Sequence, residues 1–407
     1  MLEKYIKSLV FALVLFGAFA GYMASCIPDN LYFTDENEIS IKSMPVVTLE
    51  TAGTAVSREV SSGGENLRYT AKLFGAIPLK NVNVSLSSAR KVAVAGTPFG
   101  IKMFSDGVMV VGFSDIETPF GYKSPAKAAD IRTGDIIIKF NNTKIENIND
   151  VESYIEASKD RQLQVVFLRD NVEMTASFCP VLDITTGSYR TGMWVRDSSA
   201  GVGTMTFYDV QKGMFAGLGH GIKDADTQKD IRLLSGEIVP VKIMGVTKSR
   251  NGQAGELKGT FLSSFATGQI LANSTNGVYG NVFSPPDGNM MEVASPQEIQ
   301  TGGAYIMTTI NGDKAKKYDV VIEKIALNGS NHSKNMVIRI TDPELLAVTG
   351  GIVQGMSGSP VIQNGKLVGA ITHVFVNQVE RGYGVFAQNM LDSMDNTDRV
   401  YNKKEAG

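Results

Sequence analysis

Cysteine is nearly absent from this chain. Cys26 and Cys179 lie in different segments, and no Cys-x-x-Cys pair or Cys/His cluster occurs, which argues against a zinc site and a disulfide framework. Histidine is almost as scarce. His220, His332 and His373 are the whole supply, so any imidazole chemistry must use one of them. Neither charge sign is in excess: 39 basic and 41 acidic side chains leave a formal net charge of −2, without a long charged block. That excludes a nucleic-acid surface or a charged tail as the organising feature. No period of about 20–50 residues marks a repeat array.

Glycine is what the chain has in quantity, 42 of 407 residues, with frequent Val, Ile and Thr. Many short strands joined by Gly-containing turns fit that composition. The length suits two or three domains at roughly 150 residues each.

The first 30 residues, "MLEKYIKSLVFALVLFGAFAGYMASCIPDN", carry Lys4 and Lys7 and then no charge from Ser8 to Pro28. About 20 apolar residues cross a bilayer as a helix, and cations on the leading side keep that end cytoplasmic. Residues 1–27 are therefore expected to be a signal anchor, with everything after them exported. A cleaved signal peptide, with Ala24 and Ser25 near its end, and a lipoprotein at Cys26 in "MASC" are the alternatives. Residues 28–66, mixed small and polar around Ser61-Ser62-Gly63-Gly64, read as a flexible, cleavable tether, and 67–90 as a connecting strand.

Residues 91–178 read as a small α+β module. Strands broken at Gly96-Thr97-Pro98 and Asp106-Gly107 precede a short helix from Pro125 to Ala129 and a strand from Ile136 to Phe140. Asn141-Asn142 and Asp170-Asn171 mark hairpin turns. Asn149 is placed to cap a helix over 150–158, where Val151, Tyr154 and Ile155 share one face. "SPAKAADIRTGDIIIKFNNTKI" resembles the Ser-Pro-Ala-x-x-Ala-Gly-Leu-x-x-Gly-Asp run of PDZ domains. Asp130 stands where that family has a left-handed Gly, a conformation Asp tolerates better than most residues. The resemblance puts a peptide-carboxylate loop at Phe99, Gly100, Ile101, Lys102 and Met103, with an exposed edge taking an extended peptide as an added strand. The alternative is a PDZ-like spacer that binds nothing.

From 181 to 398 the chain is mostly short strand-like runs separated by turns, the pattern of a barrel or sandwich; 399–407 reads as a tail. "ASPQEIQTG" and "DPELLAVTG" are the few helical pieces. Within it, Gly355-Met356-Ser357-Gly358-Ser359-Pro360 is a turn with almost no bulk. A nucleophilic serine must stand proud of the backbone beside amide donors that stabilise an oxyanion, each worth roughly 10²–10³ in rate. The turn is similar to the Gly-Asp-Ser-Gly-Gly-Pro nucleophile turn of trypsin-like peptidases, and by that match the oxyanion amides belong to Gly355 and Ser357. Met356 in place of Asp implies that this turn needs no buried carboxylate. Of the histidines, His220 in "AGLGHGIKDADT" sits among glycines where a substrate has access. His373, mid-strand, reads as a packing residue and His332 as a solvated one. Asp342, before a proline at a strand end, and the loop residues Asp224 and Asp226 are the candidate acids.

Taken together, "RDSSAGVGTMTFYD", "AGLGHGIKDADT", "NSTNGVYG" and "TDPELLAVTGGIVQGMSGSPVIQNGKLVGAITHVFVN", behind a PDZ-like module, resemble the SpoIVB-type sporulation peptidases. The resemblance implies a membrane-anchored serine endopeptidase with a trypsin-like double β-barrel after the PDZ. It carries general base, orienting acid and nucleophile onto His220, Asp342 and Ser357, with no metal or cofactor. Asp342 lies only 15 positions before Ser357, unlike ordinary trypsins. The family is implied to act between forespore and mother cell, cutting itself and a membrane-bound sporulation regulator whose cleavage leads to sigma-factor activation; a protein inhibitor is a further partner in that setting, and nucleic acid is not. A tethered PDZ adaptor with an inactive protease-like domain is the competing reading.

Overall fold

The computed structural model describes residues 2–34, 39–41, 44–51, 59–61, 64–86, 88–263, 265–328 and 333–405. It opens with α1 (Leu2–Cys26), whose apolar side chains are exposed along its length. At 1.5 Å per residue its 25 residues reach roughly 37 Å, more than the ~30 Å of hydrocarbon in a bilayer. That is the helix expected of a membrane anchor.

The segment after it is folded. β1 (Asn30–Phe33), β2 (Val47–Thr51), β3 (Glu59–Ser61), β4 (Gly64–Leu73) and β5 (Ile77–Leu86) form a sheet in the order β1-β5-β4-β2, with β3 paired to β4. Leu67, Tyr69 and Ala71 on β4 and Val82 and Val84 on β5 bury one face, together with Ile27, Leu31, Ile41 and Val47. The expected flexible tether over 28–66 is thus corrected for its described residues. A period of two over a few apolar residues suffices once strands pair, however polar the intervening positions are. The Asn328 amide stitches this unit to the rest, donating to the Ser25 and Ile27 carbonyls and accepting from the Asp29 amide. The Tyr32 hydroxyl donates to Asp392 at 3.0 Å.

β6 (Lys91–Val94) leads to the 16-residue β7 (Pro98–Phe113). The PDZ elements follow: β8 (Ile116–Thr118), β9 (Gly121–Lys123), α2 (Pro125–Ala128), β10 (Ile136–Phe140), β11 (Thr143–Lys144), α3 (Ile148–Ser158), β12 (Leu163–Arg169), β13 (Val172–Phe178), β14 (Val181–Leu182) and β15 (Tyr189–Arg190). The long β16 (Met193–Asp209) closes the module. Asp130 adopts φ +62°, the left-handed geometry expected of it, and Asn141, Asn142, Asp170 and Asn171 all have the positive φ of tight hairpin turns. α3 begins two residues earlier than expected because Asn147, not Asn149, caps it: its side chain accepts from the Asp150 amide while Asp150 accepts from the Asn147 amide. Val151 and Ile155 are buried on its inner face with Tyr154 beside them.

β7 and β16 belong to two bodies at once. Their outer halves pair with each other in the PDZ sheet (Val195 opposite Val110), where β7 also pairs with β10. Their inner halves (Gly203 opposite Phe99) enter a ring completed by β17 (Met214–Gly217), β18 (Leu233–Thr247), β19 (Gly255–Phe261), β20 (Gly268–Ser274) and β21 (Gly277–Val282). The ring runs β7-β16-β17-β21-β20-β18 and returns to β7, with β19 flanking β18 and β22 (Asn289–Glu292) pairing β6 outside. The PDZ is therefore inserted in a hairpin of the first barrel, and a simple boundary between 178 and 181 does not hold. Phe99–Met103 are corrected as well. Both edges of that stretch are occupied, by β16 on one side and β18 on the other, and Phe99, Ile101 and Met103 are core residues. An added peptide strand has no free edge there.

The second barrel is closed by β23 (Gly302–Thr308), β24 (Lys316–Ile325), β25 (Met336–Ile340), β27 (Pro360–Gln363), β28 (Lys366–Val374) and β29 (Arg381–Phe386), with α4 (Pro343–Thr349) and the short β26 (Val353–Gln354) between β25 and β27. α5 (Ala387–Glu405) includes residues 399–405 of the expected tail, whose last two residues lie outside the described ones, and buries Met390, Leu391 and Met394 against both barrels. Arg90 ties three parts together, its guanidinium 2.5 Å from Asp209 at the end of β16 and 2.8 Å from Asp395 on α5. Asp209 is 1% exposed, so removing the cation strands a buried carboxylate. Arg90→Met is expected to cost about 3–5 kcal/mol in denaturant unfolding; a loss under 1 kcal/mol would show that the network adds nothing.

Candidate active site

The two barrels meet at the turn Gly355–Pro360. Gly355 and Gly358 both adopt φ +94°, a conformation that favours glycine. Met356 between them is fully buried in the second barrel's core, so an apolar plug anchors the turn where trypsin-like turns have a carboxylate. Three hydrogen bonds from β16 clamp the turn across the interface. The Thr204 amide donates to the Ser357 carbonyl at 3.0 Å, the Thr204 hydroxyl to the Gly355 carbonyl at 2.8 Å, and the Thr206 hydroxyl to the Gly358 carbonyl at 2.8 Å. A Cβ on Gly358 would lie 2.0 Å from the Thr204 carbonyl oxygen and 2.5 Å from the Leu218 amide nitrogen. The amides of Gly355 and Ser357 are donors in none of these bonds. Ser357 itself is half-buried, and its hydroxyl donates to the Thr372 carbonyl on β28 at 2.6 Å.

His220 reaches the same rim from the first barrel. β17 is followed by Leu218 and Gly219, both left-handed at φ +65° and +68°, which turns the chain sharply before the imidazole. Gly219 packs so closely on Thr372 and Val385 that a Cβ would approach both at 2.9 Å. Asn273, from the "NSTNGVYG" stretch, holds the loop beyond: its amide donates to the Ile222 and Ile231 carbonyls and accepts from the Ile222 amide. Leu218 against Gly358 and Gly219 against Thr372 bring the histidine loop, the serine turn and the end of β28 together.

His220 Nδ1 donates to the Gly221 carbonyl at 2.8 Å. A carbonyl only accepts, so that bond leaves the lone pair on Nε2, the tautomer a general base requires. Burial holds the imidazole pKa below its ordinary 6.5, with Lys223 adding to the effect and the Gly221 bond opposing it.

Asp342 is not brought to this ring. Its Oδ1 accepts from the Leu345 amide as the N-cap of α4, and its Oδ2 faces the Asp319 amide at 3.3 Å. The orienting hydrogen bond expected between Asp342 and His220 is replaced by the Gly221 carbonyl, because a carboxylate before Pro343 satisfies the open amides of its own helix first. Asp224, another candidate acid, accepts from the Asp226 and Thr227 amides and pairs with Arg196, so it caps its own loop. His332 lies outside the described residues. Among the described residues no group of three His, Cys, Asp or Glu is arranged to hold a metal ion.

The residue that sequence reasoning passed over is His373. Its ring centroid lies 4.5 Å from that of His220, at 35° between planes, and its Nδ1 is buried without a partner among the described residues. Burial, then the neighbouring His220, Lys334 and Lys223, push its pKa down to about 4. The only advance signal was that His373 follows Thr372 on the strand after the serine turn.

A family profile described as SpoIVB peptidase S55 matches residues 187–391, about half of the chain. The chain belongs to the SpoIVB peptidase S55 family. It is accordingly a serine peptidase, and a PDZ domain profile matches residues 122–169 of this S55 member. Among solved structures, an HtrA-type protease AlgW variant with decapeptide is similar at 12% identity, covering 75% of this chain and 64% of its own, with TM-score 0.33. AlgW itself with decapeptide covers 51% and 54% at 12% identity and TM-score 0.30. The PDZ domain of an SdrC-like protein from Listeria monocytogenes covers 22% and 87% at 15% identity and TM-score 0.18. The S55 chain thus spans between half and two thirds of the HtrA-type proteases it matches. No curated protein matches it.

Two outcomes are expected of this site. Because the His220 pKa is lowered, neutral base persists as pH falls through 6.5, and the acid limb of Ser357 labelling by a fluorophosphonate should have its midpoint below 6.5; a midpoint at or above that value contradicts the burial argument. Gly358→Ala should reduce labelling at least ~100-fold, since the turn must move off Thr204. Unchanged labelling of a folded G358A protein would show that the clamp is dispensable.

Proposed function

We infer that this S55 peptidase hydrolyses peptide bonds through an acyl-enzyme at Ser357. His220 Nε2 takes the serine proton and returns it to the leaving amine, and the Gly355 and Ser357 amides receive the oxyanion. The serine hydroxyl leaves the Thr372 carbonyl for His220 when substrate enters. Supporting the reading is one observation above all: the turn that carries Ser357 and the turn that leads into His220, one from each barrel, interlock through Gly358 and Gly219, and the imidazole holds the tautomer a base requires. Asp342 contributes as a positioning residue, capping the helix that leads into the serine turn.

The biological setting is the one the family name carries, endospore formation. With α1 in a membrane and Lys4 and Lys7 on its cytoplasmic side, the barrels and PDZ work outside the cytoplasm, between forespore and mother cell. There the enzyme cuts a membrane-associated regulatory protein, triggering sigma-factor activation. It also cuts itself within residues 28–66, away from the paired strands β1, β2, β3 and β4.

The decisive comparison is full-length protein against Ser357→Ala, read by fluorophosphonate labelling and by the N-terminal residue of the product. The parent should label and shorten; S357A should do neither, with turnover down roughly 10⁴–10⁶-fold. Equal processing of both proteins would leave only the adaptor reading. For Asp342 the cap role predicts that Asp342→Asn keeps activity within about tenfold, because Asn caps as well as Asp, whereas Asp342→Ala loses about 1 kcal/mol of stability. If D342N instead falls ~10⁴-fold, the carboxylate serves the imidazole directly.

A further inference from the structure

We propose that His373 is a positioning residue of this active site, holding the His220 ring by stacking and shielding its cationic form with a neutral π face. The inference rests on the Ser357–His220 reading and adds a third group to it.

The juxtaposition is specific. Two successive residues at the end of β28 touch both halves of the catalytic pair: the Thr372 carbonyl receives the Ser357 hydroxyl, and the His373 ring lies on His220. Among the described residues the His220 ring makes one hydrogen bond, to its neighbour's carbonyl, and that bond fixes the tautomer without fixing the tilt of the ring. The tilted His373 ring, its centroid 4.5 Å away, supplies the missing restraint.

Charge gives the second half of the argument. When His220 takes the serine proton it becomes a cation in a half-buried place, and the carboxylate that usually balances such a cation is occupied on α4. An aromatic face attracts a cation, and more strongly when both are desolvated. The partner ring must then stay neutral itself. The groups acting on His373 are His220 opposite it and the ammonium groups of Lys334 and Lys223, all of which disfavour a second charge. Lys334 is held nearby over the Tyr383 ring at 4.9 Å. The backbone of Gly382 closes on the His373 carbonyl from β29, where a Cβ would come within 2.6 Å. Its buried Nδ1 has no hydrogen-bond partner among the described residues, and the ring's contact with His220 is made through its face.

The test compares His373→Phe with His373→Leu in full-length detergent-solubilised protein, reading the rate of Ser357 labelling by a fluorophosphonate as its concentration is varied. Leu fills the space without a π face; Phe keeps the face without titrating. We expect H373L to lower the maximal labelling rate ~10-fold with unchanged half-saturating probe, and H373F to restore it within about threefold of the parent. Thermal unfolding of both variants checks that they are folded. H373L as fast as the parent, or H373F as slow as H373L, overturns the stacking role. A parent protein that takes no label overturns the serine-nucleophile reading and this inference together, so the two failures are distinguishable.

Discussion

The site depends on one contact between the barrels, the absence of a side chain at Gly358. That vacancy lets the backbone of Leu218 and Thr204 press against the serine turn, and the proposed catalytic groups are positioned from there. Thr204 and Thr206 contribute donors that seal the turn's carbonyls, so the turn stays rigid without a buried carboxylate. Met356 in the hydrophobic core provides the counterweight on the other side. Catalytic geometry here is set by packing of backbone on backbone, which tolerates far less displacement than side-chain contacts do.

The electrostatics follow the same economy. A serine peptidase normally places an acid behind its histidine to fix the tautomer and balance the charge. On the proposed reading the two tasks are separated in this chain. A backbone carbonyl at Gly221 fixes the tautomer, and a second imidazole lies over the ring. Asp342 stabilises a helix end instead. A neutral arrangement of this kind suits a half-buried rim, where an additional carboxylate would carry its own desolvation cost.

Much of this was legible in the residues. The turn chemistry was clearest: Asp130, Asn141-Asn142 and Asp170-Asn171 all took the backbone forms their side chains favour, because such preferences are local. Gly355 to Pro360 and His220 were recognisable for the same reason, since strained turns need glycine wherever they occur. What escaped was non-local. The break read at Asp106-Gly107 is real as a kink, with Gly107 at φ +96°, but β7 runs through it and changes partners there. Nothing in a run of apolar residues says which neighbour it pairs with, so Phe99–Met103 passed for a free edge. The sheet of β1–β5 was hidden because its buried positions are few and its polar ones many. The contact of the His373 ring with His220 and the capping bond of Asp342 could not be read in advance, since proximity across a fold leaves no trace in spacing along the chain.

The path of β16 has a mechanical corollary. Val195 sits in the PDZ sheet and Thr204 at the nucleophile turn, nine residues apart on one uninterrupted strand, or roughly 30 Å of extended chain. The antiparallel β7 runs beside it over the same span. The PDZ is therefore no pendant that hangs from the enzyme by a hinge. Excising it means severing two staves of the first barrel, so the recognition module and the hydrolytic rim must be made, and lost, as one object.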